Sequence, residues 1–401
     1  MSLTTQEAAL VATAAAAPMR GQVERWAAIN TGTGNLAGLA ELAGLLAEAF
    51  GALPGVVRLV DPLPEDSIAP DGSLRTTVRG KHIHVAVRPG ANRRILLTGH
   101  MDTVFPADHP FQELTEVEPG VINGPGVADM KGGIAVMLAA LLAFEASDAA
   151  SALGYDVLLN SDEETGSTTS AALIADLARG KIAALTYEPA ALPDGTLAGA
   201  RPGSGNFSFI VTGKSAHAGR NPDDGRNALL AAADLALRLA ALRTAGLSVN
   251  PAKIDGGGPN NVVPDHAVLR VNMRPVTAAL EAHARAAIAD IVAELSERHD
   301  VTIQVHGGFG RPPKPIDAPA ERLFGLVRDC GADLGQSIAW RASGGVCDGN
   351  NIAACGVPVV DTMGVRGGAI HSPHEYLITE SLAERAALSA LALHRLANGA
   401  L

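Results

Sequence analysis

Five short segments of the chain place histidine or carboxylate side chains at the end of a predicted strand, in the loop beyond it, or near the C-terminus. In α/β sheets, ligands bind beyond the carboxyl ends of the strands, so side chains at such positions can converge on one cleft. The segments are Gly99-His100-Met101-Asp102, Ala128-Asp129-Met130-Lys131, Asp162-Glu163-Glu164-Thr165, Tyr187-Glu188-Pro189 and Ile370-His371-Ser372.

Each segment taken alone also has an ordinary structural interpretation. A single histidine at a strand end is usually a satisfied structural residue, and acidic residues before a helix complement its dipole. Several carboxylates at buried strand ends, however, repel one another unless cations compensate them. Two histidines and three carboxylates, one of them bridging, would satisfy two divalent metals. Because no cysteine belongs to the set, it fits a catalytic rather than a structural zinc site.

The composition narrows the class of protein. A chain of 401 residues with 47% hydrophobic residues is long enough for two folded domains. A net charge of −11 and the absence of a basic stripe disfavour nucleic acid as a partner. The apolar run at residues 8–18 is short and has no basic residues before it, which predicts an additional helix rather than a membrane span or a signal peptide. We therefore expect a cytoplasmic protein without a membrane partner; a periplasmic location is the alternative.

Helix and strand patterns alternate through the first half of the chain, as in βαβ units. This order predicts an α/β domain with a mainly parallel central sheet covered by helices. The predicted helices are residues 22–30, 37–50, 131–147 and 167–179, and the predicted strands are 81–88, 95–98, 155–160 and 182–187.

A second unit interrupts this pattern. Two segments rich in glycine and proline, residues 192–205 and 307–319, are predicted linkers. Between them, the elements follow a β-α-β-β-α-β order, which predicts a small α+β, ferredoxin-like insert. Its predicted helices are 226–244 and 276–298, and residues 268–274 alternate as a strand with one open face. The expected domains are 1–200 with 312–401, and the insert 201–311.

The ordered set of segments resembles the M20 metallopeptidase family, and most of all its glutamate carboxypeptidase branch (carboxypeptidase G2-like). The resemblance extends over nearly the whole chain beyond the first twenty residues. It implies a zinc-peptidase-like catalytic domain, an inserted dimerisation domain and a homodimer. It also implies two divalent ions per chain, Zn²⁺ with Co²⁺ or Mn²⁺ as alternatives. Asp129 would bridge them, His100 and Glu188 would complete one ion, and Glu164 and His371 the other.

The resemblance also implies the roles of residues around the ions. Glu163 would be the general base, which takes a proton from the attacking water and returns it to the departing amine, and Asp102 would orient His100. In the loop Gly213-Lys214-Ser215-Ala216-His217-Ala218-Gly219, the histidine would reach the active site of the partner subunit; without the resemblance, His217 fits an ordinary surface loop. Asn261 would lie near the substrate.

Arginine residues would receive the substrate carboxylate. The resemblance gives this role to Arg274, whose planar guanidinium suits bidentate binding of a carboxylate. Arg311 is expected to assist it, although its position in a predicted linker fits a solvated side chain equally well. The segment Gly344–Asn351 resembles the glycine-rich turn that walls the pocket, with Asp348 in a structural role.

The chain departs from the glutamate-specific members at one place. The loop Pro189–Thr196 contains no lysine, whereas those members carry one there to bind the substrate side-chain carboxylate. We therefore expect hydrolysis of an amide, either peptide or N-acyl, in a small carboxylate-bearing substrate without assigning glutamate. The alternative is an N-acyl amino-acid deacylase of the acetylornithine or succinyl-diaminopimelate type.

Two interpretations from other classes are weaker. A nucleotide-binding α/β protein would need a GxGxxG segment after a strand with an acidic residue about 20 positions on, and the sequence has none. The glycine-rich segment 256–261 lacks the Lys-Ser/Thr pair and the following helix of a phosphate loop. A non-catalytic family member acting as a scaffold would have lost a metal ligand or the base, and all six positions are present.

Overall fold

The computed structural model describes residues 3–401, so the first two residues of the predicted first domain lie outside it. Within this range, the α-helices are α1 (Thr5–Ala15), α2 (Met19–Ala27), α3 (Leu36–Phe50), α4 (Gly133–Glu145), α5 (Ala171–Ala178), α6 (Ala228–Ala240), α7 (Ala278–His299), α8 (Ala318–Asp333), α9 (Asp348–Ala353) and α10 (Glu380–Ala397). The strands are β1 (Val56–Val60), β2 (Glu65–Ile68), β3 (Leu74–Thr77), β4 (His82–Val87), β5 (Arg94–His100), β6 (Thr115–Glu118), β7 (Val121–Asn123), β8 (Gly154–Asn160), β9 (Ala183–Thr186), β10 (Leu197–Ala198), β11 (Ser204–Thr212), β12 (Ala216–His217), β13 (Leu247–Gly256), β14 (Val262–Val263), β15 (His266–Pro275), β16 (Thr302–Arg311), β17 (Trp340–Arg341), β18 (Val359–Val360), β19 (Gly367–Gly368) and β20 (Tyr376–Ile378).

The central sheet has six strands in the order β1-β4-β8-β5-β9-β18. Strands β8, β5, β9 and β18 are parallel, as predicted, but β4 is antiparallel to both of its neighbours. The prediction of a mainly parallel sheet is therefore right for the strands that lead to the candidate site and wrong at the β1 edge. Strands β1 and β4 are joined through the β2–β3 hairpin, without the crossover helix that parallel pairing requires.

Helix α4 forms the centre of the larger core. It packs against α10, α1 and α2, and nearly all of its side chains are buried. The continuous segment Val127–Glu145 is long and apolar enough to cross a membrane, but 94% of its most apolar window is buried inside the protein. This is the environment of a core helix. The predicted N-terminal helix is confirmed as α1, which begins with a capping box between Thr4 and Glu7.

A separate antiparallel sheet, β13-β15-β11-β16, belongs to the inserted segment. Helices α6 and α7 pack on it and bury an apolar cluster that is distinct from the larger core. The predicted β-α-β-β-α-β order is confirmed as β11-α6-β13-β15-α7-β16, with the short strands β12 and β14 added.

The prediction of a linker at residues 307–319 is wrong over its first part. Strand β16 continues through Gly307 and Gly308, which pair with Phe207 and Asn206 of β11, and it ends only at Arg311. Gly307 has a φ of +90°, a conformation that glycine adopts without strain. These glycines therefore belong to a strand, although a glycine-rich segment is typical of a loop. Part of the other predicted linker is also strand, namely β10 and the start of β11.

The β2–β3 hairpin connects the two sheets. Ile68 at its end is buried against Ile210 and Val268 of the inserted sheet. The Arg270 guanidinium donates a hydrogen bond to the Ile68 carbonyl at 2.8 Å. The inserted sheet is thus held against the central unit by contacts other than the two segments in which the chain enters and leaves the insert.

Two glycines in helices offer a matched test of how closely α4 packs against the end of β9. A Cβ at Gly133 would lie 1.9 Å from the Tyr187 carbonyl oxygen, whereas a Cβ at Gly44 of α3 would meet nothing within 4 Å. We expect Gly133→Ala to lower the free energy of unfolding by about 1–3 kcal/mol through overpacking. Gly44→Ala should raise it by about 0.5–1 kcal/mol, because alanine loses less backbone entropy in a helix. Urea denaturation of both variants measures the difference. Equal effects of the two substitutions would contradict the close approach of α4 to the end of β9.

Candidate metal centre

The carboxyl ends of three neighbouring strands place the first site residues. Strand β5 ends at His100, which pairs with Asn160 at the end of β8. The turn Glu163–Thr165 follows β8. On the other side of β5, Thr186 ends β9, and Glu188 follows two residues later. The parallel strands therefore bring His100 and three glutamates to one edge of the sheet, as the sequence predicted.

Two loops complete the cluster. Asp129 lies in the turn Val127–Gly132 at the start of α4, and His371 lies in the connection between β19 and β20. The carboxylate of Glu375 accepts hydrogen bonds from the backbone amides of Gly126, Ala128 and Asp129 at 3.0–3.2 Å. These three hydrogen bonds to Glu375 hold in place the backbone turn that carries Asp129.

The two oxygens of Asp129 face different histidines. Oδ1 lies 3.0 Å from His100 Nε2, and Oδ2 lies 3.2 Å from His371 Nε2. Each histidine has its own glutamate beside it: Glu188 Oε2 is 3.7 Å from His100 Nε2, and Glu164 Oε2 is 3.2 Å from His371 Nε2. The five residues therefore form two histidine–glutamate pairs, one beside each oxygen of Asp129.

Burial makes this concentration of carboxylates electrostatically unfavourable by itself. Burial, with the charge of Asp129 as a smaller contribution, raises the pKa of Glu164 to about 8, and burial likewise raises the pKa of Glu163 to about 7 and that of Glu188. Burial opposes the charge of Asp129 too, but its hydrogen bonds to His100 and His371 lower the pKa of this carboxyl. The crowded acids require positive charge close to them.

The donor atoms fit divalent cations. His100, Asp129 and Glu164 offer ligand atoms within 4.8 Å of one another, and so do His100, Glu163 and Glu188. Imidazole nitrogen and carboxylate oxygen together are typical ligands of zinc and similar borderline metals, and cations would relieve the repulsion among the buried acids. These residues therefore have the ligand types and the spacing of a metal-binding site.

Asp102 organises both sides of the cluster. Its backbone carbonyl accepts a hydrogen bond from His100 Nδ1 at 3.0 Å, and its carboxylate lies 3.4 Å from the same nitrogen. Since Nδ1 carries the proton, Nε2 is free to bind a metal. The same carboxylate accepts the backbone amides of Glu163 and Glu164 at 3.2 Å, and Thr33 donates to it at 2.8 Å.

Glu163 and Glu164 point to different partners, although they are adjacent. Glu164 faces His371, whereas Glu163 Oε1 lies 2.7 Å from Nη2 of Arg311. The alternative that Arg311 is solvated in a linker is wrong, whereas its role in substrate binding stays a prediction, because Arg311 lines the same cavity as Arg274. Arg311 ends strand β16, is 5% exposed and binds Glu163 and the Asp348 carboxylate. A guanidinium between two buried acids is held by them and is not in solvent.

Two cavities open beside the cluster, and both reach Glu163 and His371. One, of about 500 Å³, extends past Glu188. The other, of about 820 Å³, extends past Glu164 to Arg274 of the inserted sheet. Arg274 donates hydrogen bonds to the Asn272 side chain and to the Gly344 carbonyl, which leaves part of its guanidinium facing this cavity.

The structure places His217 and Asn261 away from these cavities. Among the residues described, neither lines the spaces beside the cluster. They lie next to each other, because β12 pairs with β14 and the Ala218 amide donates to the Asn261 carbonyl at 2.9 Å. His217 is exposed, and its Nδ1 accepts hydrogen bonds from the amides of Gly219 and Arg220, each at 3.1 Å. Its Nε2 therefore carries a proton and is available as a donor.

Sequence reasoning missed two groups of residues that support the site. Glu375 stands four residues after His371, but nothing in that spacing indicates that it binds amides about 250 positions earlier. Arg201 and Asp361 form a buried ion pair at 2.7 Å beside the smaller cavity. Both groups act through partners that are distant in sequence, so no local pattern reveals them.

Comparison with known proteins agrees with this geometry. The model of peptidase family M20/M25/M40 matches residues 96–395. Carboxypeptidase G2 of Pseudomonas sp. (strain RS-16) is 29% identical over 331 residues, which cover 78% of this chain and 76% of that protein. A succinyl-diaminopimelate desuccinylase of Xanthomonas oryzae pv. oryzae (strain MAFF 311018) is 31% identical over 326 residues, covering 75% of this chain and 83% of that protein.

Solved structures share the fold. A tripeptidase from Staphylococcus aureus superposes with a TM-score of 0.72 at 22% identity, covering 95% of this chain and 98% of that one. An M20 family metallo-carboxypeptidase from Sulfolobus solfataricus gives a TM-score of 0.70 at 14% identity, covering 95% of this chain and 100% of that one.

The crowded carboxyls predict how the stability of metal-free protein depends on pH. Burial is the largest cause that raises the pKa of Glu163 and Glu375 to about 7 and that of Glu164 to about 8. When folding raises the pKa of a carboxyl, the folded protein holds that proton more tightly than the unfolded chain does. The resulting stabilisation is complete below the pKa of the unfolded chain and is lost as the pH rises through the pKa of the folded protein. We expect the Tm of chelator-treated protein to fall by several degrees between about pH 5.5 and about pH 8.

Zinc added at the upper pH should restore the Tm, because the cation replaces the missing protons. Glu164→Gln should flatten the pH dependence of the metal-free protein, whereas Glu48→Gln, on the exposed face of α3, should not. A metal-free Tm that is constant or rises over this range would contradict the crowding of buried acids.

Proposed function

The chain belongs to peptidase family M20/M25/M40, and from this premise we propose that it is a two-zinc enzyme that hydrolyses the amide bond of a small, carboxylate-bearing substrate. Its family and relatives make it a metal-dependent hydrolase. The observation that carries the two-ion proposal is Asp129, whose two oxygens face two histidines on opposite sides.

The proposed ligands divide into two sets. His100 and Glu188 would hold one ion, Glu164 and His371 the other, and Asp129 would bridge them. When bound, such ions polarise the amide carbonyl and bring the pKa of water to about 7. Zinc is the ion we propose, because the donor set combines imidazole and carboxylate without thiolate; Co²⁺ and Mn²⁺ are alternatives.

Glu163 is the proposed general base. Glu163 lines both cavities, and our assignment gives it no metal ion. It would take a proton from the attacking water and deliver it to the departing amine nitrogen. Burial raises its pKa to about 7, and the neighbouring charge of Arg311 acts in the opposite direction. The ion pair with Arg311 at 2.7 Å therefore positions the carboxylate and favours its ionised form, which is the form that accepts a proton.

The carboxylate of the substrate is proposed to bind Arg274. The relatives named above are a carboxypeptidase and a desuccinylase, whose names imply substrates that carry carboxylates. Arg274 is the cation of the larger cavity with the greatest freedom to meet one, since Arg311 is engaged by Glu163. The alternative function is an N-acyl amino-acid deacylase of the acetylornithine or succinyl-diaminopimelate type, and the relatives named succinyl-diaminopimelate desuccinylase support it. The absence of lysine from the loop Pro189–Thr196 argues only against a preference for glutamate.

The insert at residues 201–311 is proposed to dimerise and to complete the active site of a second copy. Strand β13 is an edge strand of its sheet. The neighbouring helix α6 exposes Leu230 and Leu237, which are 62% and 73% exposed. An exposed apolar face beside an unpaired strand edge is typical of an interface. Since His217 lies away from the cavities of its own chain, we propose that its Nε2 donor stabilises the oxyanion in the partner's site.

Metal-loaded protein should release an amine from members of a library of N-acyl amino acids and dipeptides, as detected by mass spectrometry. Glu163→Gln should keep both metals and lose about 10²–10⁴ in kcat, because an amide cannot accept the proton. Glu164→Ala should instead lose bound metal. Elemental analysis should approach two equivalents in the native protein; a ceiling of one, or metal loss in Glu163→Gln but not in Glu164→Ala, would contradict the assignment.

Arg274→Ala should chiefly raise KM for carboxylate substrates, by the equivalent of about 1.5–3 kcal/mol, because a charged hydrogen bond is lost. Arg274→Lys should recover only part of this, since lysine lacks the bidentate geometry. Arg243→Ala, at an exposed position just beyond α6, serves as the matched control. Unchanged kinetic constants in Arg274→Ala would remove this residue from the site.

A mixed dimer tests the shared site. His217→Ala and Glu163→Gln homodimers should each be nearly inactive. In a mixed dimer, the His217→Ala chain keeps Glu163 and receives His217 from its partner, so one of the two sites is complete. Refolding the two variants together should therefore restore measurable activity. No recovery in a sample shown to contain mixed dimers would mean that His217 does not act across the interface.

A further inference from the structure

Three arginine side chains line the two cavities beside the metal cluster, and they differ in their partners. Arg201 binds the buried Asp361 carboxylate at 2.7 Å, and Arg311 binds the Glu163 carboxylate, also at 2.7 Å. Among residues 3–401, no carboxylate oxygen lies within 4.0 Å of the Arg274 nitrogens. Arg274 is therefore the one of the three whose charge no acid of the chain neutralises by direct contact.

Two neutral acceptors hold Arg274 instead. Its Nε donates to Oδ1 of Asn272 at 3.1 Å, and its Nη1 donates to the Gly344 carbonyl at 2.9 Å. A guanidinium has five N–H donors, and these two contacts use one on Nε and one on Nη1. The edge formed by Nη1 and Nη2 keeps three donors for the larger cavity, and this edge can bind both oxygens of a carboxylate.

The amide of Asn272 is itself fixed in one orientation. Its Nδ2 donates to Asn206 Oδ1 at 2.8 Å, and to the Ser204 hydroxyl and the Gly205 carbonyl at 3.2 Å each. Because a carbonyl oxygen can only accept, the group that faces Gly205 must be the NH₂ group of the amide. The amide oxygen is thereby directed to the guanidinium of Arg274.

Strand geometry explains why these side chains meet. Asn272 and Arg274 are two positions apart on β15, so they share one face of the inserted sheet. Asn206 of β11 lies directly opposite Asn272, so its side chain is on the same face. This face lines the larger cavity. The arginine thus stands on a rigid polar surface that contains no acid of its own strands.

From these contacts we propose that Asn272 is a positioning residue for substrate binding, which holds Arg274 through a neutral amide and so keeps its charge for the carboxylate of the substrate. The inference rests on the proposed binding of that carboxylate by Arg274. An aspartate of the same shape would also accept from Nε, but its charge would pair with the guanidinium before the substrate arrives. The choice of an amide therefore separates Arg274 from Arg311, which an acid already engages.

The isosteric substitution Asn272→Asp tests the need for a neutral group. The probe is the carboxylate substrate that the native zinc-loaded enzyme cleaves fastest in the library of N-acyl amino acids and dipeptides. We expect KM to rise at least about 10-fold and kcat to stay within about 3-fold, because the new acid competes with the substrate for Arg274. Asn272→Ala removes the acceptor without adding charge, so KM should rise only about 3-fold.

Asn92→Asp is the matched control, because Asn92 is exposed and precedes β5 at the end opposite to His100. It adds the same charge and should leave both kinetic constants unchanged. A purely structural role of Asn272 predicts the reverse order of the two variants, since aspartate keeps the shape and the acceptor that alanine lacks. A rise of KM in Asn272→Asp that is equal to or smaller than that in Asn272→Ala would overturn the proposal.

A double-mutant cycle tests whether Asn272 acts through Arg274. In the Arg274→Ala enzyme, Asn272→Ala should change KM by less than about 1.5-fold, because the guanidinium that it positions is gone. The same rise of KM in both backgrounds would overturn the proposal. The cycle uses only alanine substitutions, so it decides the question even where the added charge of Asn272→Asp lowers the Tm. Elemental analysis for zinc and thermal unfolding check that each variant is folded and loaded.

The outcomes separate the inference from the function on which it rests. A raised KM in Arg274→Ala, with native constants in both Asn272 variants, rejects the positioning role and retains the carboxylate site. Native constants in Arg274→Ala reject the carboxylate site and the positioning role together, while the amide hydrolase is retained. No hydrolysis of any amide in the library, by protein shown to hold two zinc ions, rejects all three.

Discussion

Repulsion among buried carboxylates is the constraint on which the candidate site depends. Asp129, Glu163, Glu164 and Glu188 meet at one edge of the central sheet, where burial raises the pKa of the three glutamates. Such a cluster is stable in its ionised form only if cations lie among the oxygens. The two histidines that flank Asp129 complete donor sets for them, so the same residues that create the electrostatic problem also provide its solution.

The surrounding structure holds these ligands by backbone contacts. Asp102 accepts the amides of Glu163 and Glu164 and also faces His100, which links the ends of β5 and β8. Glu375 does the same for the turn that carries Asp129. Carboxylates that accept backbone amides fix where the next side chain points, and a metal centre needs such orientation as much as it needs ligands.

Arg311 connects the two sheets at the point where chemistry would occur. It ends β16 of the inserted sheet and binds Glu163, which follows β8 of the central sheet. The β2–β3 hairpin adds a second contact through Ile68 and Arg270. The position of the inserted sheet, and of Arg274 on it, is therefore tied to the position of the proposed general base. A movement between the two sheets would alter the environment of Glu163 and the width of the larger cavity together.

From the amino-acid sequence alone we could predict the alternation of elements, the β-α-β-β-α-β insert and the segments that meet at the strand ends. Those features follow from local periodicity and from the rule that parallel strands present their carboxyl ends at one edge. The folded structure was needed to show that β16 extends to Arg311, that Arg311 binds Glu163, and that Glu375 holds the Asp129 turn. Each of these depends on partners more than a hundred positions away or on sheet pairing that overrides a loop-like composition. A local sequence pattern cannot reveal such partners, because burial and hydrogen bonding between distant segments are established only when the chain packs.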